Sequence, residues 1–131
     1  MDFAYDDLIG IPFVDGGRDP KKGLDCWGLV KEAFRRQGYS VPDYSISAVE
    51  AADIAGTMKK QEDDWIHLDE PHVGCLVLLR LTPGLWANHV GIYIGDGRFL
   101  HAYLPTGVCI DRLRRWQSRI VGYYSPGGGW H

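Results

Sequence analysis

Residues Asn88 to Ala102 read NHVGIYIGDGRFLHA, and the register of this stretch decides the fold. Val90, Ile92 and Ile94 alternate onto one strand face, which is the core face, so His89, Gly91 and Tyr93 point the other way. A two-residue Asp96-Gly97 turn would pair Gly95 with Arg98 and set His101 opposite Ile92, in the core. A three-residue Gly95-Asp96-Gly97 loop, with Gly97 left-handed, pairs Ile94 with Arg98 and shifts the register by one. His101 then faces Gly91 beside His89, and diagonal neighbours on one face lie roughly 7–8 Å apart at Cβ. The three-residue reading also sets Phe99 across from Tyr93 and Leu100 in the core, and it is preferred.

Outward from the hairpin, the chain has 131 residues, 45% apolar and 24% charged, with a net charge of −3. That length suits one domain, 1–131, and the composition is that of a globular protein. No basic excess marks a nucleic-acid surface, and no apolar run reaches the length of a membrane span. The opening MDFAYDDLIGIPF lacks a basic region followed by an apolar one, so no signal peptide is expected. Three cysteines, Cys26, Cys75 and Cys109, are an odd number without CxxC spacing, which argues against a disulfide framework and a zinc knuckle.

Cys75 and Cys109 sit in strand-like runs, where cysteine is a small hydrophobe. Cys26 has different neighbours. The stretch DGGRDPKKG ahead of it is a loop by composition, and from Asp25 the pattern turns helical, with Gly38 as the stop. Asp25 is a good N-cap, and Cys26 falls at the first helical position, where the helix dipole favours a thiolate. A weaker helix is predicted through SAVEAADIAGTMKK, then an acidic polar link. Strands follow at Cys75–Leu81, Asn88–Ile94, Arg98–Tyr103, Val108–Ile110 and Ile120–Tyr124. Helices first and a meander of strands after them predict an α+β fold, N-terminal helices packed on a central antiparallel sheet.

A nucleophile at a helix start, a base on one strand and an orienting group on the next form the general cysteine-hydrolase arrangement. As zinc ligands, Cys26, His89 and His101 would be only three, with no carboxylate close in sequence, so neither metal nor cofactor is expected.

GLDCWGLV around Cys26, followed by HVGIYIGDGRFLHA, resembles the NlpC/P60 family of cell-wall peptidases, most closely the short forms associated with phage tails. The resemblance runs from LIGIPFVDGGRDPKKGLDCWGLV to RIVGYYSPGGG. It implies a papain-like core and a Cys-His-His triad, with Cys26 as nucleophile, His89 as base and His101 orienting His89. It further implies hydrolysis of peptidoglycan stem peptides, typically between D-γ-glutamate and diaminopimelate or lysine. Asp25 resembles the family aspartate that holds the amine end of the stem peptide. Asp15 stands where many members carry a cleft-lining Tyr, and Trp27 replaces a small residue beside the nucleophile, so both are expected to shape the substrate site. The expected setting is a protein made in the host cytoplasm, built into a phage tail among other tail proteins, and acting on periplasmic peptidoglycan. Two rivals are a thiol amidase or acyltransferase on another substrate, and a non-enzymatic tail module; the Cys-before-His order and the intact triad argue against them.

Overall fold

The computed structural model describes residues 3–43, 65–81 and 89–127. Two short strands, β1 (Arg18–Asp19) and β2 (Gly23–Leu24), precede helix α1 (Cys26–Arg36). Six further strands follow: β3 (Trp65–Leu68), β4 (Leu76–Leu79), β5 (His89–Gly95), β6 (Arg98–Tyr103), β7 (Gly107–Arg112) and β8 (Ile120–Pro126). They form one sheet in the order β3-β8-β4-β5-β6-β7, every neighbour antiparallel. This is the expected α+β architecture, with one described helix on a large antiparallel sheet. The second predicted helix lies outside the described residues.

Helix α1 begins where the sequence says it should. Asp25 has extended backbone (φ −92°, ψ −174°), and its side chain accepts from the Gly28 amide at 2.7 Å. At the other end Gly38 adopts φ +93°, and the Gly38 and Tyr39 amides donate to Arg35 and Phe34 carbonyls, closing the last turn. The apolar stripe of α1 (Cys26, Trp27, Val30, Ala33, Phe34) packs on Leu76, Leu78, Val90 and Ile92 of the sheet. Leu29 joins Leu100, Ala102 and Val108 in a second cluster on that face.

The opposite face of the sheet is also apolar. Val77, Leu79 and Phe99 are buried there under Trp116, which lies between two 3-10 turns, Leu113–Arg115 and Gln117–Arg119. The sheet is therefore packed on both sides, and a polar side chain aimed at either face is withdrawn from water.

The β5–β6 hairpin has the expected register for an unexpected reason. Ile92 pairs with Leu100 and Tyr93 with Phe99, as anticipated, but Gly95 rather than Ile94 pairs with Arg98. The turn is the two-residue Asp96-Gly97 form, both residues at positive φ (+56° and +71°), and the register shifts at a bulge between Tyr93 and Gly95. That extra residue supplies the one-step shift that a three-residue loop was expected to give. The Gly97 amide donates to the Tyr93 hydroxyl at 3.0 Å, tying the turn to its own strand. Gly97→Val would force a β-branched residue into the left-handed region, so we expect a loss of about 1–3 kcal/mol, read as a lower denaturant midpoint.

Two corrections concern edges. DGGRDPKKG is not simply a loop, because it folds back on itself as the β1–β2 pair. The acidic link also ends in a strand, β3, which among the described residues pairs with β8 alone and buries only Trp65. An edge strand with one buried residue carries almost no period-2 signal.

Candidate active site

The loop ahead of α1 is clamped onto its cap. Besides Gly28, the Asp25 carboxylate accepts from the Gly16 amide at 3.1 Å and from Arg18 Nη1 at 2.6 Å. Arg18 also bonds Asp43 at 2.9 Å and the Gly17 carbonyl, so it ties β1 to the helix start and to the chain beyond α1. Asp25 is fully buried and engaged by three donors, so it holds the loop, the helix cap and Arg18 together beside the nucleophile. The Trp27 indole is fully buried against Trp65, with Nε1 donating to the Pro42 carbonyl at 3.0 Å, so it packs the core beneath the helix start. Asp15 is exposed on the clamped loop.

Cys26 is fully buried at the first position of α1. Burial, and next the Asp25 carboxylate, push its thiol up to about 12; backbone hydrogen bonding from Val90 and Trp27, and the nearby Arg18 charge, oppose the rise. Burial and the neighbouring carboxylate thus oppose the thiolate that the start of a helix favours. The Val90 contact puts the sulfur against the backbone next to His89.

His89 and His101 meet as the register requires. His89 Nε2 and His101 Nδ1 are 2.8 Å apart, with the rings edge-on at 5.1 Å. Gly91 makes room between them: a Cβ there would lie 3.2 Å from His101 Cβ and 2.8 Å from the Leu100 carbonyl. Trp116 roofs the pair, its ring 6.2 Å from His89 and 5.3 Å from His101. Nδ1 of His89 has no hydrogen-bond partner, so the structure brings the two rings together but leaves the Cys26 sulfur short of hydrogen bonding to His89. Catalytic hydrogen bonds of this kind commonly tighten only when substrate is bound.

Burial holds both rings neutral, His101 down to about 4 and His89 well below its ordinary value. Between about pH 6.5 and 4 the unfolded chain therefore takes up protons that the folded chain refuses, and stability falls as pH falls. For His101 alone the loss is about 2 kcal/mol at pH 5 relative to pH 7. Urea midpoints at the two pH values should show it, and the difference should shrink in His101→Asn.

The sequence reading missed the partners behind this pair. His101 Nε2 faces Asp111 Oδ2 at 3.5 Å, and the same oxygen accepts from Trp116 Nε1 at 3.0 Å. Asp111 lies in β7, where Phe99 pairs with Asp111 and His101 with Cys109, so strand parity puts it on the histidine face. Only a β6–β7 register would have revealed it. Among the described residues, no group of three or more His, Cys, Asp or Glu is placed to hold a metal.

The fold and this site define a class, and the comparisons agree with it. The model of the NlpC/P60 family matches residues 10–125, and the chain belongs to that family. It is 34% identical over 118 residues to the murein DD-endopeptidase MepS/murein LD-carboxypeptidase of Escherichia coli (strain K12), covering 88% of this chain and 55% of that protein. It is 32% identical over 117 residues to the bifunctional muramidase/DL-endopeptidase CwlT of Bacillus subtilis (strain 168), covering 87% of this chain and 32% of that one. Among solved structures, a lipoprotein-like NLP/P60 family protein of Staphylococcus aureus superposes with a TM-score of 0.64 at 26% identity, covering 98% of this chain and 44% of that one. The chain thus spans about half the length, or less, of these relatives.

Proposed function

We propose that the protein is a cysteine endopeptidase that hydrolyses peptidoglycan stem peptides through Cys26, His89 and His101. The observation that carries this reading is the 2.8 Å contact between His89 and His101, with the second nitrogen of His89 left unbonded and its strand neighbour Val90 against the Cys26 sulfur. Family membership supports the reaction class, and the relatives named murein endopeptidases support the substrate class.

With the resting pair taken as thiol and neutral imidazole, the proton moves during the attack. Cys26 Sγ forms a bond to the amide carbonyl carbon while His89 Nδ1 takes the thiol proton. The Cys26 backbone N–H, one of the free donors at the start of α1, stabilises the oxyanion. The C–N bond then breaks as His89 returns the proton to the departing amine. Water, deprotonated by His89, releases the acyl group as a carboxylic acid and restores the thiol.

The bond we assign lies between D-γ-glutamate and diaminopimelate, in line with the DL-endopeptidase name of one relative; the DD-endopeptidase name of the other marks the alternative. We keep Asp15, Asp25 and Trp27 as the candidates for shaping the stem-peptide site, of which Asp15 is exposed. Incubation with purified sacculi and mass spectrometry of the released fragments tests both points. Fragments ending in D-γ-glutamate are expected, insensitive to chelators; fragments from D,D cross-link cleavage would move the assignment, and intact sacculi would end it. We further assign delivery to a phage or phage-like tail, a reading supported by the sequence resemblance to short tail-associated members. Proteomics of purified particles tests it, and consistent absence would count against it.

A further inference from the structure

The acidic residue behind the histidine pair has no role in the chemistry above. His101 is fully buried, and its Nε2 has no hydrogen bond of ordinary length. What it faces at 3.5 Å is a carboxylate oxygen, Asp111 Oδ2. Among the described residues, each group hydrogen-bonded to that carboxylate is a donor. Trp116 Nε1 donates to Oδ2 at 3.0 Å, while the Arg112 amide (3.2 Å) and Arg115 Nη1 (3.5 Å) donate to Oδ1. The seat accepts on both oxygens, so it suits a carboxylate and not a carboxamide.

A neutral imidazole carries one proton, on one nitrogen or the other, and the hydrogen bond made by one nitrogen decides the state of the other. A lone pair on His101 Nε2 would point at a carboxylate and repel it; a proton there is attracted. With the proton on Nε2, His101 Nδ1 is an acceptor. The 2.8 Å contact then requires His89 Nε2 to be the donor, which leaves His89 Nδ1 with a free lone pair. Nδ1 is the unbonded nitrogen, and it is the one that must take the proton of Cys26.

We propose that Asp111 is a positioning residue that sets the tautomers of both histidines in series, so that His89 presents an unprotonated Nδ1 as the base. His101 contributes no charge of its own; Asp111 supplies it through the ring. The pKa directions agree, since Asp111 raises that of His101 against burial. The functional consequence rests on the peptidase reading above, whereas the tautomers are a property of the protein alone.

The test is long-range proton–nitrogen NMR on protein labelled with ¹⁵N-histidine at neutral pH, without substrate. Wild type is expected to show Nε2–H on both His89 and His101; an Nδ1–H on His101 overturns the proposal before any variant is made. In Asp111→Leu no acceptor faces His101 Nε2, so the preference for Nε2–H is expected to be lost and Nδ1–H to appear on both rings. Turnover number on a stem peptide should then fall by about two to four orders of magnitude, as wrong-tautomer variants of related triads do, with little change in KM. Asp111→Glu keeps an acceptor and should keep Nε2–H on both rings. Trp116→Phe removes the indole donor but not the carboxylate, and it should also keep the wild-type tautomers. If Trp116→Phe reproduces the Asp111→Leu spectrum, Asp111 acts only by holding Trp116 and the relay is wrong. Unchanged tautomers in Asp111→Leu are equally fatal. Wild-type tautomers as expected in a protein that cleaves no stem peptide would leave the relay standing and remove the function assigned to it.

Discussion

Cys26→Ala will reduce stem-peptide cleavage by at least roughly ten-thousandfold, because no other group described near His89 can form the acyl intermediate. The fold should survive the change. Cys26 is fully buried, but removing one sulfur leaves a small gap, costing about 1–2 kcal/mol. Cys75→Ala is the matched control, since Cys75 is also a buried thiol, pushed up to about 11 by burial, and stands just before β4 rather than on α1. Cleavage should persist there. Circular dichroism and denaturant midpoints would separate the chemical loss from any structural one.

Gly28→Ala will damage both fold and activity. A Cβ at position 28 would stand 2.0 Å from the Gly17 carbonyl oxygen and 3.2 Å from Asp25 Oδ1. Neither neighbour can yield cheaply. Gly17 O already accepts from the Asp25 amide and from Arg18, and the carboxylate holds the loop, the cap and the arginine together. Opening that clamp strands a buried carboxylate, so we expect a loss of about 3 kcal/mol or more, about 10 °C in Tm. Activity should fall with it, because the clamp positions the first turn of α1, where Cys26 sits. Thermal unfolding checks the first effect; a Tm within about 2 °C of wild type would contradict the clamp.

Where the sequence was legible, a local rule and a packing rule agreed. Helix α1 has a good cap in Asp25, a regular apolar stripe and a stop at Gly38, and its limits came out as read. The alternation along Val90, Ile92 and Leu100 fixed which hairpin face meets the helix, and so brought His89 and His101 together. The bulge that achieves this register was not legible, because a bulge and a longer loop give the same alternation beyond them. Nor were burial and neighbouring charge at Cys26: the dipole argument considers one helix, whereas the thiol also lies beside the Asp25 carboxylate in a site closed to water. Asp25 and Trp27 flank the nucleophile in sequence, yet both turn inward, the first to the clamp and the second to Trp65. Asp111 stayed hidden because it is joined to the site only through a third strand.

The central claim is that Cys26 carries the acyl group during turnover. Rapid acid quench of a single turnover on a defined stem peptide, followed by intact-protein mass spectrometry and peptide mapping, tests it most directly. The account predicts a transient mass gain equal to the acyl fragment, mapped to Cys26 and gone once the carboxylic acid product has been released. An acyl group mapped to any other side chain, or cleavage completed while the protein remains unmodified throughout, would contradict it.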